Sequence, residues 1–303
     1  MRADKIWMDG KLMGWDEANV HVCTHTLHYG LGVFEGIRCY KCRDGRSAIF
    51  MLDAHVNRLF DSAHIADLAI PYRREEIVDL CKEIVRVNGF DECYIRPIVF
   101  MGDSQLGLYV KDFKVRVAII AWVWGAYLGD EGLQAGIRAK ISSFLRNHVD
   151  AGMTKGKICG NYVNSIFAKR EAVSLGFDEA IMLDTEGYVA EASGENIFTV
   201  KNGRIKTTPL TSILPGITRG CVIEIARELG IEVVEERFTR DELYTVDEVC
   251  FTGTAAEVTP VREVDGRRIG DGVPGPVTQA LQKRFFEAAR GMDAQYERWL
   301  TYL

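Results

Sequence analysis

The segment TKGKICGNYVNS, residues 154–165, places two lysines around one glycine just before a helix-like run. A lysine among small residues is either an ordinary solvated loop residue or a primary amine held in a tight space, where it can form an imine or move a proton. By this criterion Lys155 and Lys157 are equivalent. The segment therefore indicates amine chemistry and leaves two candidate lysines for it.

Three further segments bring polar groups and small residues together. In LPGITRGCVIEIA, Thr218 stands at the start of a strong helical pattern, where it is either a plain N-cap or part of a phosphate site built on the first-turn N–H groups. Thr254, in FTGTAAEVTP, lies in a small-residue loop typical of an anion nest. Glu191, in YVAEASGENIF, ends a predicted strand, so its carboxylate either faces a ligand or lies in a solvated turn.

Other motifs argue against nucleotide and metal sites. The glycines of YGLGVFEG do not match GxGxxG, because the third comes one position too late and no apolar strand precedes them. His21, His25 and His28 follow no helical period, which favours hydrogen-bonding histidines over metal ligands. Cys39 and Cys42 form a CxxC on a predicted hairpin, where residues three apart point to opposite faces. We therefore predict no metal site.

Composition excludes several classes of partner. The chain has 303 residues, a net charge of −6 and a sequence pI of about 5.6, which gives no general attraction to nucleic acid or anionic lipid. No apolar run approaches the length of a membrane span, and no signal-type region is seen at the N-terminus. Without a signal peptide, the eight cysteines are expected to be reduced thiols. These features predict a cytoplasmic protein.

Strands and helices must position the candidate residues. Hairpins with turns such as Asp44-Gly45 and two amphipathic helices are predicted in the first half, the first of them capped by Asp53. Further strands, a helix from about residue 161 to 175 and a helix after LPGITR are predicted in the second half. The sequence therefore predicts a mixed α+β protein.

The best candidate for a domain boundary is GAYLGDEGLQAG, which holds four glycines and loses periodicity. We predict a smaller N-terminal α/β domain at 1–125, an interdomain linker at 126–135 and a larger C-terminal domain at 136–303. The lysine segment falls in the last of these.

Taken together, the motifs resemble the branched-chain amino acid aminotransferases, which have the two-domain D-amino-acid-aminotransferase-like fold (PLP fold type IV). The resemblance covers most of the chain, from IWMDGKLMGW to GTAAEVTPV. Its motifs come in the family's order: HYGLGVFEGIRCY, HVNRLFDSA, YIRP, WVWGAYLG, KICGNYVNS, EASGENIF, LPGITR and GTAAEVTPVR. The resemblance implies pyridoxal 5′-phosphate (PLP) as cofactor.

The resemblance also assigns the cofactor residues. Lys157 would form the internal Schiff base, because the family's lysine stands four residues before an Asn-Tyr pair, here Asn161-Tyr162. Lys155 would then be a surface lysine. Glu191 matches the carboxylate paired with the pyridine nitrogen, and Tyr162 matches the tyrosine near the 3′-oxygen. The residues expected to bind the phosphate are Arg58, Ile217, Thr218 and Thr254.

The implied reaction is a ping-pong transamination of L-leucine, L-isoleucine or L-valine with 2-oxoglutarate. The aromatic wall suited to the aliphatic side chains would consist of Tyr29, Phe34, Trp124 and Tyr127. Arg96 and Tyr29 would meet the distal carboxylate of glutamate. The α-carboxylate would be held by Tyr94 and by the backbone N–H groups of Thr254 and Ala255.

In this family Tyr29 and the loop at 106–110 reach across a dimer interface, so the resemblance implies a homodimer or a higher homo-oligomer. One residue departs from the family, because Cys159 stands where a small residue, often glycine, is usual. Its thiol is expected to alter sensitivity to oxidation.

Alternative functions remain within the same fold. They are D-amino-acid transaminase, (R)-amine transaminase and aminodeoxychorismate lyase. A different class of function is a catalytically silent small-molecule-binding protein on the same scaffold. YIRP and WVWGAY favour the branched-chain group, and the presence of the lysine, the glutamate and both phosphate loops argues against the silent protein.

Overall fold

A computed structural model of the protein describes residues 2–125 and 127–303. These residues form two compact units. Unit 1 contains the chain up to Trp124 together with Gly156–Asn161 and Ala288–Leu303, and unit 2 contains Gly125–Lys155 and Tyr162–Glu287. The first boundary therefore falls where the glycine-rich segment begins.

Helices and strands are mixed along the chain, as the sequence predicts. The α-helices are α1 (His25–Tyr29), α2 (Leu52–Ile65), α3 (Arg74–Val87), α4 (Asp130–Ala135), α5 (Val149–Gly152), α6 (Tyr162–Ser174), α7 (Ile217–Glu228), α8 (Arg240–Leu243) and α9 (Pro276–Ala289). The strands are β1 (Lys5–Met8), β2 (Lys11–Gly14), β3 (Gly32–Phe34), β4 (Ile37–Lys41), β5 (Ser47–Phe50), β6 (Cys93–Met101), β7 (Val115–Trp122), β8 (Ile137–Ile141), β9 (Glu179–Leu183), β10 (Val189–Ala192), β11 (Asn196–Lys201), β12 (Arg204–Thr207), β13 (Val233–Glu235), β14 (Glu248–Gly253), β15 (Glu257–Val264), β16 (Arg267–Arg268) and β17 (Leu300–Tyr302).

Unit 1 is built on an antiparallel sheet with the strand order β17-β5-β4-β6-β7-β1-β2, and β3 pairs with β6 outside this path. The amphipathic helices α2 and α3 bury their apolar sides against it. Leu59 of α2 and Ile84 of α3 are fully buried and share one core with Ile37, Ile95 and Ile119 of the sheet. This core holds α2 in place, and α2 carries several polar residues of the site described below.

Unit 2 is built on a mixed sheet with the order β10-β9-β8-β15-β14-β11-β12-β13, and β16 pairs with β15 at its side. β8 runs parallel to both β9 and β15, and β12 runs parallel to β13. The core of this unit contains Ile137, Ile181, Phe251 and Val261, all buried on the sheet. Strands buried on this scale supply rigid ends from which loops can present polar groups.

The predicted linker differs from what the structure contains. Ala126 lies outside the described residues, and the remainder of the segment belongs to unit 2, where it includes α4. Leu128 packs against the core of that unit. Three of the four glycines therefore flank a short helix, and the fourth, Gly132, lies within it.

The lysine segment also departs from its predicted place, since Gly156–Asn161 belongs to unit 1. The reason is pairing that is distant in sequence, because Ile158 forms a β-bridge with Val33 and the N–H of Gly160 donates to the carbonyl of Gly30 at 3.0 Å. Local sequence patterns carry no signal for such pairs.

Most local predictions agree with the structure. The predicted turn at Asp44-Gly45 joins the antiparallel strands β4 and β5, and Gly45 has a φ of +87°. The N-cap prediction for α2 is wrong, because the helix begins at Leu52 and Asp53 lies in its first turn. The cap residue is Met51, whose N–H donates to the carbonyl of Trp299 at 2.7 Å, a tertiary contact.

The three neighbouring histidines make hydrogen bonds, as predicted. The imidazole of His25 is buried and pairs through Nε2 with the carbonyl of Gly107 at 2.8 Å. His28 pairs in the same way with the carbonyl of Val22, and Nδ1 of His21 accepts from the N–H of Cys23. Among residues 2–125 and 127–303, none of the helices is long and apolar enough to cross a membrane.

Candidate active site

In unit 1, Arg58 is held in place by a fully buried carboxylate. Glu35 accepts hydrogen bonds from Nε of Arg58 at 2.6 Å, from Nη2 of Arg58 at 3.0 Å and from Nδ1 of His55 at 2.7 Å. Burial alone would raise the pKa of Glu35, but the charge of Arg58 and the hydrogen bonds from Arg58 and His55 outweigh it and hold that pKa far below its usual range. Burial lowers the pKa of His55, so a neutral imidazole donates through Nδ1–H.

Lys157 lies beside the same helix. Its backbone N–H donates to Oγ of Ser62 at 3.0 Å, and its carbonyl accepts from the N–H of Phe34 at 3.1 Å. The Nζ atom lies 5.0 Å from the centroid of the Phe34 ring. His55, Arg58 and Ser62 are three and four residues apart in α2, so they share one face of the helix. A single helix face thus positions both the guanidinium and the lysine backbone.

The small residues around Lys157 have a steric reason. A Cβ at Gly30, where φ is +74°, would come within 3.0 Å of the Cα of Gly160, so the two backbones can touch only without side chains. Cys159 follows Ile158 and is half-buried. Burial raises the pKa of its thiol, which disfavours the thiolate that reacts with oxidants.

A guanidinium in an aromatic surround forms the second part of the site in unit 1. The Cζ atom of Arg96 lies 4.6, 5.3 and 5.7 Å from the ring centroids of Phe34, Tyr94 and Trp122, respectively. The Trp124 ring packs edge-on against Tyr94 at 4.8 Å. Register explains the grouping, because Tyr94 and Arg96 are two residues apart on β6 and Tyr94 pairs with Trp122 of β7.

One glycine makes room for this cluster. A Cβ at Gly36 would lie 1.7 Å from the hydroxyl oxygen of Tyr94, so only glycine lets the phenol reach its position. Tyr29, which the sequence assigns to the same group, is 44% exposed, and its ring packs against His25 at 4.6 Å. The structure thus brings together Phe34, Tyr94, Arg96 and Trp124, and places Tyr29 at the surface of unit 1.

In unit 2, the carboxylate of Glu191 is 5% exposed and surrounded by donors. Nε of Arg146 donates to Oε1 at 2.6 Å, and Nδ2 of Asn196 donates to Oε2 at 3.1 Å. The N–H of Leu214 points at both oxygens, at 3.4 and 3.3 Å. Such a set of donors stabilises the charged form of a buried carboxylate and fixes its orientation.

The same network shapes the turn that precedes α7. Nδ2 of Asn196 also donates to the carbonyl of Leu214 at 3.0 Å, and a Cβ at Gly216 would lie 1.9 Å from Oδ1 of Asn196. Among the residues that the structure describes, no side chain caps α7, and Thr218 in its first turn is 3% exposed. The first-turn N–H groups of a helix lack intrahelical acceptors, so this helix start suits a phosphate.

Lys155 has a partner that the sequence does not suggest. Its Nζ donates to the carbonyl of Ile213 at 3.2 Å, next to Leu214. Burial lowers the pKa of Lys155, and Arg219 adds to this effect while Glu191 opposes it. Lys155 is exposed, as expected of a surface lysine, and its amine also supports the turn before α7.

The remaining predicted residues of unit 2 lie at loop and helix ends. Thr254 and Ala255 lie in the short connection between β14 and β15. Tyr162 is half-buried at the first position of α6, and Tyr127 is 37% exposed, with Nζ of Lys169 lying 5.3 Å from its ring centroid. Ile217 opens α7 beside Thr218.

Several residues of these networks were missed by sequence reasoning. They are Glu35, His55, Trp122, Arg146 and Asn196. Asn196 stands within the EASGENIF motif and Glu35 within HYGLGVFEGIRCY, so their positions gave a signal. Arg146 gave none, since it lies 45 residues from the carboxylate that it contacts.

Comparison with known proteins identifies the family. The model of the family described as amino-transferase class IV matches residues 32–264, more than half of the chain. The branched-chain-amino-acid aminotransferase of Pseudomonas aeruginosa is 54% identical over 98% of this chain and 96% of the relative. The chain belongs to the branched-chain-amino-acid aminotransferases of class IV.

Solved structures of this family agree with the fold. The crystal structure of the Escherichia coli branched-chain amino acid aminotransferase is 44% identical, with a TM-score of 0.96 over 99% of each chain. The branched-chain amino acid aminotransferase from Thermobaculum terrenum, solved in its PLP-bound holo form, is 33% identical, with a TM-score of 0.93 over 99% of this chain and 98% of the other. The α+β, fold-type-IV prediction is thereby confirmed.

The buried Glu35 group predicts an acid-dependent stability. We expect Glu35→Gln to lower the free energy of unfolding at pH 7 by about 3–5 kcal/mol, because it removes the charge opposite Arg58. The folded-state pKa of Glu35 lies below its ordinary value of 4.5, so its stabilisation is present above that pH and is lost as the pH falls further. Urea unfolding between pH 7 and pH 3 should show the free energies of unfolding of the wild type and of Glu35→Gln converging in acid. Glu75→Gln, an exposed carboxylate of unit 1, is the matched control, and curves for Glu35→Gln that stay parallel to wild type would contradict the prediction.

Proposed function

We propose that this protein is a PLP-dependent branched-chain-amino-acid aminotransferase. It transfers the amino group of L-leucine, L-isoleucine or L-valine to 2-oxoglutarate and gives branched 2-oxo acids and L-glutamate. The observation that carries the proposal is the buried carboxylate of Glu191, fixed by Arg146, in a chain 54% identical to an enzyme of that name.

The residues of this chain fit PLP. When bound, PLP supplies a protonated pyridine ring that accepts the electrons of the Cα–H bond of an amino acid. In unit 2, the start of α7 at Ile217 and Thr218 and the loop with Thr254 suit a phosphate. In unit 1, Glu35 fixes the guanidinium of Arg58, a group that binds phosphate. Lys157 provides the amine for covalent attachment.

The proposed chemistry assigns a proton to each polar group. The fixed negative charge of Glu191 would hold a proton on the pyridine nitrogen of bound PLP, because an adjacent anion favours the cationic form of that group. Once the amine of the substrate has displaced it from the cofactor, Nζ of Lys157 would move a proton from Cα of the donor amino acid to C4′ of the cofactor, and in the opposite direction in the second half-reaction. The hydroxyl of Tyr162 would hold the 3′-oxygen of the cofactor.

Loss of the amine at 157 tests this proposal. Purified wild type should show a visible absorption band from bound PLP and should transaminate L-leucine with 2-oxoglutarate faster than D-alanine or an (R)-amine. Lys157→Ala should lose the band and the activity, while Lys283→Ala, a lysine with 77% side-chain exposure, should keep both. A colourless wild type that PLP does not reconstitute would sink the proposal, and faster turnover of D-alanine would favour the D-amino-acid alternative.

A dual-substrate aminotransferase must accept an aliphatic and an anionic side chain in one place. Phe34, Tyr94 and Trp124 offer apolar ring surface, and Arg96 offers a positive charge among them. Nε of Arg96 and Nε1 of Trp122 are buried without a hydrogen-bond partner in the described residues. We propose that Arg96 meets the distal carboxylate of glutamate. Tyr29 and Tyr127 would complete the aromatic wall, and Tyr94, Thr254 and Ala255 would hold the α-carboxylate.

Replacing Arg96 should separate the two substrates. Losing a charge-assisted hydrogen bond costs about 1.5–3 kcal/mol, so we expect Arg96→Leu to raise the KM for 2-oxoglutarate roughly 10- to 100-fold. The KM for L-leucine serves as the internal control and should change by less than about threefold, because the side chain of L-leucine carries no charge for Arg96 to bind. Steady-state kinetics with each substrate varied will decide, and an equal rise in both KM values would refute the role of Arg96. Arg96→Lys, which keeps the charge, should recover part of the loss.

We also propose that the protein acts as a homodimer or a higher homo-oligomer. Unit 1 exposes Leu106, Leu108 and Tyr109 at 49%, 92% and 82%, in the loop assigned to the interface. In unit 2, Ile166 and Phe167 of α6 are about half exposed, and Phe167 stacks on Phe144 at 5.6 Å. Apolar groups exposed together in this way are typical of protein–protein contact surfaces.

Sedimentation tests the dimer. At micromolar concentration the wild type should sediment with at least twice the mass of one chain. Phe167→Lys should shift the protein toward the monomer, because burying a lysine charge at an apolar interface is unfavourable. Val273→Lys, at a site with 63% exposure, is the matched control and should leave the mass unchanged. A wild type that stays monomeric would exclude the proposal.

We propose a cytoplasmic location on the state of the cysteines. All eight are free thiols. Cys39 and Cys93 are directly paired across β4 and β6 and are not joined by a disulfide. Neighbouring free thiols are typical of a reducing compartment.

A further inference from the structure

Three buried glutamates of unit 2 lie in one group, which we call the glutamate cluster: Glu179 on β9, Glu191 on β10 and Glu195 in the turn between β10 and β11. Their exposed fractions are 0%, 5% and 5%. The turn itself is closed by the N–H of Ala192, which donates to the carbonyl of Glu195 at 2.8 Å. Three carboxylates so close together cannot all be charged without compensation.

Compensation is uneven within the glutamate cluster. Glu179 accepts from Nζ of Lys169 at 2.6 Å, from Oγ of Ser193 at 2.6 Å and from the N–H of Ala180 at 2.7 Å. Glu191 has Arg146 and two further donors, as described above. Two of the three carboxylates therefore have a cation and additional hydrogen bonds.

Glu195 has far fewer groups that could balance a negative charge. Its carboxylate accepts from the N–H of Gly194 at 3.1 Å, and within the described parts of the chain no cation lies at ion-pair distance from it. The end of β14 packs against its Cγ through Gly253, which has no titratable group. A buried carboxylate without a cation is far more stable with a proton than without one.

The electrostatic surroundings act in the same direction. Burial and the neighbouring charge of Glu179 raise the pKa of Glu195 to about 8, with a smaller contribution from Glu191. Lys169 and the N–H of Gly194 oppose this shift and do not overcome it. The two cations can balance only two of the three carboxylates. The third therefore keeps its proton, and it is the carboxylate with the fewest hydrogen-bond donors.

We propose that Glu195 is the neutral member of the glutamate cluster in the working enzyme, and that its proton allows Glu179 and Glu191 to remain charged together. Glu195 is then a positioning residue that acts through Glu191. Its importance for the reaction rests on the proposed role of Glu191, whereas its protonation does not.

Infrared spectroscopy of the holoenzyme tests the location of the proton. At pH 7 the wild type should show the carbonyl stretch of a protonated carboxylic acid, and the band should disappear as the pH passes about 8. Glu195→Gln should lack this band at every pH. Glu171→Gln, a glutamate of the same unit that is bound to Ser142 and Ser143, should keep it. A band that survives in Glu195→Gln, or is absent from the folded wild type at pH 7, would overturn the proposal.

Two further variants keep the test independent of the folding of Glu195→Gln. Glu179→Gln removes the neighbouring negative charge, so the midpoint of the band should fall. Lys169→Met removes the opposing cation, so the midpoint should rise. A midpoint that does not move in either variant would count against the cluster. A protein with the band at Glu195 and without transaminase activity would refute the proposed function and leave this assignment standing.

Discussion

The ion pair between Glu191 and Arg146 is the interaction on which much of unit 2 depends. A carboxylate buried to this degree is stable only when donors replace the lost water, and here a guanidinium, an amide and a backbone N–H do so. Asn196 bonds both Glu191 and the carbonyl of Leu214, so the charge and the turn before α7 form one network. Removing the carboxylate would disturb the helix start as well.

Unit 1 follows the same principle with other residues. Glu35 fixes the guanidinium of Arg58, and the helix that carries Arg58 also bonds the backbone of Lys157 through Ser62. The positions of the Arg58 guanidinium and the Lys157 backbone therefore depend on the hydrophobic contacts that pack α2 against the sheet. A packing change in α2 would be felt at the lysine, which is 95 positions away from Ser62 along the chain.

Charge balance links these networks to the proposed chemistry. An aminotransferase of this kind needs one carboxylate to stay ionised in a buried place, and nearby acids work against that requirement. In the glutamate cluster the conflict is resolved by unequal donors, so the proton resides where it leaves Glu191 unaffected. The resolution depends on how closely β9, β10 and the turn that follows bring the three acids together.

The sequence by itself determined the family, the α+β fold and the position of four of the longer helices, α2, α3, α6 and α7, because ordered motifs and hydrophobic periodicity are local properties. Spacing to Asn161-Tyr162 also singled out Lys157 from Lys155, as a prediction of its role. Only the tertiary structure showed that Arg146 holds Glu191, that Glu35 holds Arg58 and that Lys155 supports the turn before α7. These contacts join residues 23 to 58 positions apart, and no local pattern encodes which buried charge will meet which partner.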